Sequence, residues 1–271
     1  MITALADEVR AGRVLLFAGA GVSAGLGLPT WKGLIEFLGA DLGFEPGVFQ
    51  SLSASFLPLA EYYKLERSSF GALRSWMDRS WNVKDRVIRK SKIHRLLIDL
   101  KFPLIYTTNY DRLIERAYEL DGQRINKIVT AKDIARADSR LPTLVKFHGD
   151  FDEDKSLVIS ESDYFRRLAF EGPLDIKLRA DVLGRTVLFI GYSLTDINIR
   201  LMIFRLRNMW VDSGQEKLQP RSYVFLSRPN IVQQTILESW GVTPIVGDSV
   251  DESDALRGFL SDLKSAVDNK S

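Results

Sequence analysis

The chain has no cysteine and only two histidines, His94 and His148. The first absence excludes disulfides and every cysteine-ligated zinc or iron–sulfur site. The second excludes a multi-histidine metal centre, so no metal is expected. An excess of one charge is also lacking: 37 basic against 35 acidic residues give a net charge of +2. That balance offers no footprint for nucleic acid, and direct binding to it is not expected. No window approaches the roughly 20 apolar residues that a membrane-spanning helix needs. The start, Met1-Ile2-Thr3-Ala4-Leu5-Ala6-Asp7-Glu8, has neither the basic opening nor the apolar core of a signal peptide. A cytoplasmic chain without membrane association is therefore expected. Internal repeats and low-complexity tracts are missing as well.

What is present suits a packed globular protein: 45% hydrophobic and 27% charged residues. A length of 271 residues exceeds the usual single-domain size, which suggests one large α/β domain with an insertion, or two lobes. Six short apolar runs read as strands: 14–18, 102–107, 143–147, 186–190, 223–226 and 242–246. Most alternate with helix-like stretches at 110–120, 160–183, 195–210, 229–240 and 252–267. Such alternation predicts a Rossmann-like, doubly wound parallel sheet of about six strands covered on both faces. Residues 34–100 break the rhythm. Phe56, Leu59, Ala60, Tyr63 and then Phe70, Leu73, Trp76, Met77 recur at helical spacing, with no convincing strand among them. The expected organisation is a nucleotide-binding domain of residues 1–33 and 101–271, with 34–100 an inserted small helical lobe.

The most informative stretch is Leu15-Leu16-Phe17-Ala18-Gly19-Ala20-Gly21-Val22-Ser23-Ala24-Gly25. It reads as a buried strand feeding a tight turn that opens a helix. Gly19, Gly21 and Ala24 fit the G-x-G-x-x-G/A pattern, in which glycines admit a phosphate close to the backbone and the helix N-terminus favours its charge. A strand-to-helix turn without a ligand has the same pattern. The second strand of the ordinary dehydrogenase fingerprint, with its acidic end, does not follow, because 32–39 looks helical.

In an open parallel sheet, ligands lie at the carboxyl ends of the strands. Five strand-like runs end in small or hydrogen-bonding residues. They are Gly19–Ser23, then Thr107 to Asp111, then His148-Gly149-Asp150, then Gly191-Tyr192-Ser193 with Thr195, Asp196 and Asn198, and last Ser227, Arg228 and Asn230. Asp111 and Asp196 are also placed to cap the helices that follow, and His148 before Gly149 also suits a turn. The convergence of five such ends favours a pocket.

Gly19-Ala20-Gly21-Val22-Ser23 with Gly27-Leu28-Pro29-Thr30-Trp31 resembles the sirtuin G-A-G-x-S…G-x-P-x-aromatic signature. Thr107-Thr108-Asn109-Tyr110-Asp111 resembles T-x-N-x-D, His148-Gly149 the histidine–glycine pair, and Gly191-Tyr192-Ser193 the later G-x-S turn. The order matches, over residues 19 to 198. Two features depart from the protein-deacylating members: the four-cysteine zinc ribbon is absent, and Lys32 stands where an arginine follows the aromatic residue. The chain thus resembles the divergent bacterial sirtuin-like (SIR2-like) domains, NAD-cleaving effectors of anti-phage defence. Some of these act beside a HerA-like ATPase, an Argonaute-type protein or a nucleotide-sensing domain.

The resemblance implies an NAD⁺ glycohydrolase (NADase) that releases nicotinamide and ADP-ribose, with NAD⁺ as substrate and no metal. It implies that Asn109 holds the ribose or the attacking water and that His148 acts as base. Asp111 would bind the nicotinamide amide or order its loop. Gly19, Ala20, Gly21 and Ser23 would lie by the phosphates, Ser193 and Asn230 on the adenosine side, and Thr107 and Gly191 would also be among the NAD⁺-binding residues. It further implies control from outside by a partner or by homo-oligomerisation. The alternatives are an NAD-dependent protein deacylase, needing a peptide cleft between sheet and lobe, and a non-catalytic nucleotide-binding scaffold.

Overall fold

A computed structural model of the chain describes residues 1–150, 152–169, 171–192 and 197–269. Its centre is the first apolar run. Helix α1 (Ile2–Arg10) leads into β1 (Val14–Ala18), all five of whose residues are buried. The chain then makes a one-turn helix, α2 (Gly21–Ala24), and enters the lobe through α3 (Trp31–Asp41), α4 (Val48–Ser51), α5 (Phe56–Arg67) and α6 (Gly71–Ser80). Helices α7 (Asp85–Lys90) and α8 (Lys92–Asp99) return it to the sheet. There follow β2 (Leu104–Thr107), α9 (Leu113–Leu120), β3 (Asn126–Ile128), α10 (Ala131–Arg136) and β4 (Thr143–Lys146). Next come α11 (Glu161–Leu168), α12 (Pro173–Leu183), β5 (Thr186–Ile190) and α13 (Ile197–Asp212). The chain closes with β6 (Ser222–Leu226), α14 (Ile231–Ser239), β7 (Val242–Val246) and α15 (Glu252–Asp268).

The strands form one parallel sheet in the order β3-β4-β2-β1-β5-β6-β7. This is the doubly wound arrangement expected, with seven strands rather than about six. The additional one, β3, is three residues long, and its Asn-Lys-Ile sequence carries no apolar run. It reaches the edge of the sheet through backbone pairing with β4. The stretch 160–183, read as one helix, is two. Pro173 lacks an N–H and stands at the first turn of α12, and Gly172 before it is extended (φ −68°, ψ 159°), so the helix restarts there.

Alternate residues of the central strands serve opposite faces. Leu16, Ala18, Ile105 and Leu188 pack against α1, α8, α9 and α15. Leu15, Phe17, Tyr106 and Phe189 pack against α12 and α13. Burying one such leucine or phenylalanine is worth roughly 1.5–3 kcal/mol, against about 0–1 for an exposed ion pair, so the two apolar layers hold the sheet. A third cluster belongs to the lobe: Leu34, Ile35, Leu38, Leu59, Tyr63, Leu73 and Met77 close around Tyr110, Leu157 and Ile159 from the sheet side. Ile88, Ile93, Leu97 and Ile98, on α7 and α8, join the sheet's own core instead. No described helix is long and apolar enough to cross a membrane.

The order of strands reverses about β1: the chain first lays β2, β3 and β4 on one side of it, then crosses to β5 on the other. That reversal opens a crevice at the carboxyl ends of β1 and its neighbours. One backbone device there is stringent. Gly149 follows β4 with φ +91°, and a Cβ on it would overlap the Ser156 carbonyl. Gly12 also has positive φ (+65°) but faces open space. Gly12→Ala should therefore cost only the left-handed penalty, about 1 kcal/mol. Gly149→Ala should cost several times more in denaturant unfolding. Equal losses would show that the Ser156 loop gives way freely.

Candidate functional site

Two backbone turns meet at the crevice. The Gly19 N–H donates to the Ile190 carbonyl (2.9 Å) and the Gly21 N–H to that of Gly191 (2.9 Å). A Cβ on Gly21 would come within 2.7 Å of the Gly191 Cα, and one on Gly191 within 2.8 Å of the Val22 nitrogen. The glycines are thus required by contact between the β1 and β5 ends. Their N–H groups are taken up by that contact, and Ala20 between them lines the crevice.

The end of β2 hangs on this turn. Thr107 Oγ1 donates to the Ala18 carbonyl (2.7 Å) and accepts the Asn109 N–H (3.0 Å). Asn109 Nδ2 donates to the Gly19 carbonyl at 3.1 Å and lies 3.5 Å from Ser23 Oγ. Because Gly19 presents an acceptor, the amide nitrogen must face it, and Oδ1 turns the other way. Asp111 Oδ1 accepts the Leu113 N–H (2.9 Å), which starts α9.

The end of β4 brings His148. Its ring is 1% exposed, stacked on Phe147 (5.9 Å between centroids) and met edge-on by Tyr164 of α11 (5.3 Å). Its carbonyl accepts the Val158 N–H (2.9 Å), so the chain after Gly149 folds back across it. Beneath lies a buried charge cluster. Lys146, wholly buried, donates to the Asp111 carbonyl and to Glu115 (3.2 Å), and lies 3.6 Å from Asp150. Lys127 reaches Asp150 at 3.2 Å from the other side. Burial by itself lowers the pKa of Lys146, but Glu115, Asp150 and Asp111 outweigh it and hold the ammonium above the usual lysine value.

The ends of β1, β2 and β4 open onto one cleft of about 770 Å³, counting space open to solvent. Ala20, Ser23, Thr108, Asn109, Asp111 and His148 line it from the sheet. Leu28, Pro29, Trp31, Leu34 and Trp81 line it from the lobe side, with Tyr110 and Tyr164 between. Of the sequence-predicted residues, Ala20, Ser23, Asn109, Asp111 and His148 come together here. Gly19, Gly21, Thr107 and Gly191 lie behind, where they fix the backbone. Asn230 stands apart, exposed, and its side chain caps α14 by accepting the Gln233 N–H (3.0 Å). Ser193, Thr195 and Asp196 lie outside the described residues, as does the side chain of Asn198. Sequence reasoning missed Tyr164, Trp81 and Lys146. Among the described residues, no group of three or more His, Cys, Asp or Glu side chains is placed to hold a metal ion.

Fold and cleft together define a Rossmann-like domain with polar strand ends facing a helical lobe. A family model described as the SIR2-like domain matches residues 103–245, over half of the chain, and the chain belongs to that family. It is 29% identical over 223 residues to an NAD(+) hydrolase ThsA of Bacillus cereus (strain MSX-D12), covering 82% of this chain and 44% of that one. With an NAD(+) hydrolase ThsA of Enterococcus faecium it shares 31% identity over 78% of this chain and 43% of that one. A defense-associated sirtuin 2 of Bacillus subtilis is 27% identical over 78% of this chain and 21% of that one. The chain thus spans less than half the length of these curated relatives.

Two consequences are measurable. Lys146→Met leaves Glu115 and Asp150 buried without their cation and should cost about 3–5 kcal/mol in denaturant unfolding. A loss below 1 kcal/mol would show that the cluster does not depend on the ammonium. The second concerns His94 on α8, buried, with Nδ1 2.8 Å from Ser91 Oγ. Burial lowers its pKa from 6.5 to about 4, against a smaller upward pull from Asp111. A histidine depressed on folding stabilises the fold above its unfolded value, and that stabilisation is lost as pH falls from 6.5 towards 4. Its full loss is on the order of 3 kcal/mol. Urea unfolding across this range should show the fall in the parent chain and a flatter profile in His94→Leu.

Proposed function

We propose that this domain hydrolyses NAD⁺ to nicotinamide and ADP-ribose. The observation that carries the reading is the meeting of Asn109, Asp111, His148 and Ser23 in one cleft at the carboxyl ends of β1, β2 and β4. The names of the relatives, NAD(+) hydrolases, support it. Breaking the bond between ribose C1′ and the nicotinamide nitrogen builds oxocarbenium character on the ribose. The cationic ring leaves as a neutral amide, so the leaving group needs no acid. The protein must orient the ribose, admit water and take up a proton. In this reading Asn109 Oδ1 holds a ribose hydroxyl or the water, with its nitrogen anchored on Gly19. His148 receives the proton released as water attacks C1′. The Asp111 carboxylate, beside a positively charged transition state in a partly desolvated cleft, favours the charge that develops. In this reading the phosphates lie over Ala20 and Ser23, whereas Asn230, exposed and capping α14, takes no part in holding the adenosine.

Such an activity drains a cofactor that the cell needs. The same reading therefore includes a role in anti-phage defence under external control, through a homo-oligomer or a partner such as a HerA-like ATPase or Argonaute-type protein.

The test is nicotinamide and ADP-ribose release from NAD⁺ by the purified chain and by Asn109→Ala and His148→Ala. Turnover should fall by about 10²-fold or more in both variants with unfolding midpoints retained. Full activity in both would overturn the assignment. Tight NAD⁺ binding without turnover would favour a nucleotide-binding scaffold, and acyl-ADP-ribose formed from acylated peptides a deacylase.

A further inference from the structure

We infer that Tyr164, with the latch that fixes its helix, decides which nucleophile reaches the ribose: water is admitted and bulkier acceptors are shut out. The inference rests on the NAD⁺-cleavage reading. Tyr164 is 7% exposed, lines the cleft and meets the His148 ring edge-on. On its other side that ring is backed by Phe147, itself covered by the Arg167 guanidinium at 4.0 Å. The imidazole is therefore met by one aromatic ring on its face and another at its edge, and Tyr164 is the one of the two that lines the cleft.

That wall is fastened to the lobe by the residues just before it. Lys64 of α5 donates to Asp163 (2.8 Å) and Ser160 (3.1 Å), and Glu61 accepts the Ser162 N–H (2.8 Å). Asp163 also accepts the hydroxyl (2.7 Å) and N–H (3.2 Å) of Ser160, which closes the first turn of α11. Burial raises the Asp163 carboxyl, but its bonds to Lys64 and Ser160 hold it below the usual value, so the latch stays charged at neutral pH. A deacylase would need room beside His148 for an acylated side chain, and Tyr164 of α11 stands in the cleft next to that ring.

In hydrolysis the C1′–N bond breaks with its electron pair leaving on nicotinamide. A water oxygen bonds C1′ and its proton passes to His148 and then to solvent. An alcohol reacts in the same way: its oxygen forms the new C1′–O bond, its proton is lost, and the product is an O-alkyl ADP-ribose. The partition between the two products therefore measures access rather than rate.

The experiment is NAD⁺ turnover by the full chain in methanol or n-propanol, with the ratio of alkyl product to ADP-ribose read by mass spectrometry. The parent chain should give little propyl product. Tyr164→Ala should raise its propyl ratio about tenfold, the scale on which a pocket discriminates small apolar groups. Lys64→Ala should raise it less, and Tyr164→Phe should leave it unchanged. Unfolded molecules contribute to neither product, so partial loss of folding does not imitate the effect. If Tyr164→Ala is inactive, Lys64→Ala decides. An unchanged propyl ratio in the active variants overturns the inference and leaves the hydrolase reading intact. Absence of turnover in the parent chain removes the hydrolase reading for the isolated chain, and the inference with it.

Discussion

The contact of the β1 turn with the end of β5 is the constraint on which the rest of the site depends. Gly19 and Gly21 bond to Ile190 and Gly191 beyond the last sheet pairing, and no side chain fits between them. Because this contact fixes the peptide planes after β1, the carbonyls of Ala18 and Gly19 point sideways towards β2. Thr107 takes the first and Asn109 the second. Tyr192, next to Gly191, adds its hydroxyl to the same group, 3.2 Å from the Ala18 carbonyl and 3.1 Å from Thr108 Oγ1. The orientation of the Asn109 amide thus follows from backbone geometry two strands away, and it is set before any ligand arrives.

A different force shapes the other half of the cleft. The segment after β4 would be free to move if only Gly149 bent it, but Asp150 ties it down between Lys146 and Lys127. A buried ammonium held by carboxylates on two elements is costly to separate, since removing one partner strands the others in a poor solvent. His148 and Asp111 both stand on this cluster. The lobe adds the remaining wall: Tyr110 leaves the sheet, packs between Trp31 and Trp81, and bonds through its hydroxyl to the Val158 carbonyl (2.6 Å). The sheet fixes the polar groups and the lobe gives the apolar cover, and Tyr110 couples the two.

Much of this was legible in the residues. Strands buried on both faces leave apolar runs, and the polar residues that end them marked Ser23, Asn109, Asp111 and His148. β3 left no such run because it is three residues long at the sheet edge and only Ile128 among them is buried. The break before α12 was written in Gly172-Pro173, but helical spacing on both sides hid it. Tyr164 lies in the middle of a short helix, far from any strand end, and only the fold brings it to His148. Lys146 reads as a polar residue closing a strand, whereas it is fully buried, its charge met by Glu115 on α9, 31 positions earlier. Local pattern carries periodicity and turn chemistry well, and carries contacts across long separations poorly.

The glycines show the limit most clearly, because one pattern serves two physical ends. A phosphate-cradling turn and a turn packed against another backbone both demand residues without Cβ. Here the packing is present, and it takes two of the N–H groups that a phosphate would otherwise use. An anion over this turn must then draw on Ala20 and on the hydroxyls of Ser23 and Thr108. A net hydrogen bond contributes only about 0.5–1.5 kcal/mol, so three such donors do not by themselves hold a dinucleotide. The larger share of binding has to come from apolar and aromatic surface, which Trp31, Tyr110, Trp81 and Tyr164 supply on the lobe side. In the proposed reading, binding is thereby weighted towards the end of the ligand that reacts, beside His148 and Asn109, rather than towards the phosphates shared by all such nucleotides.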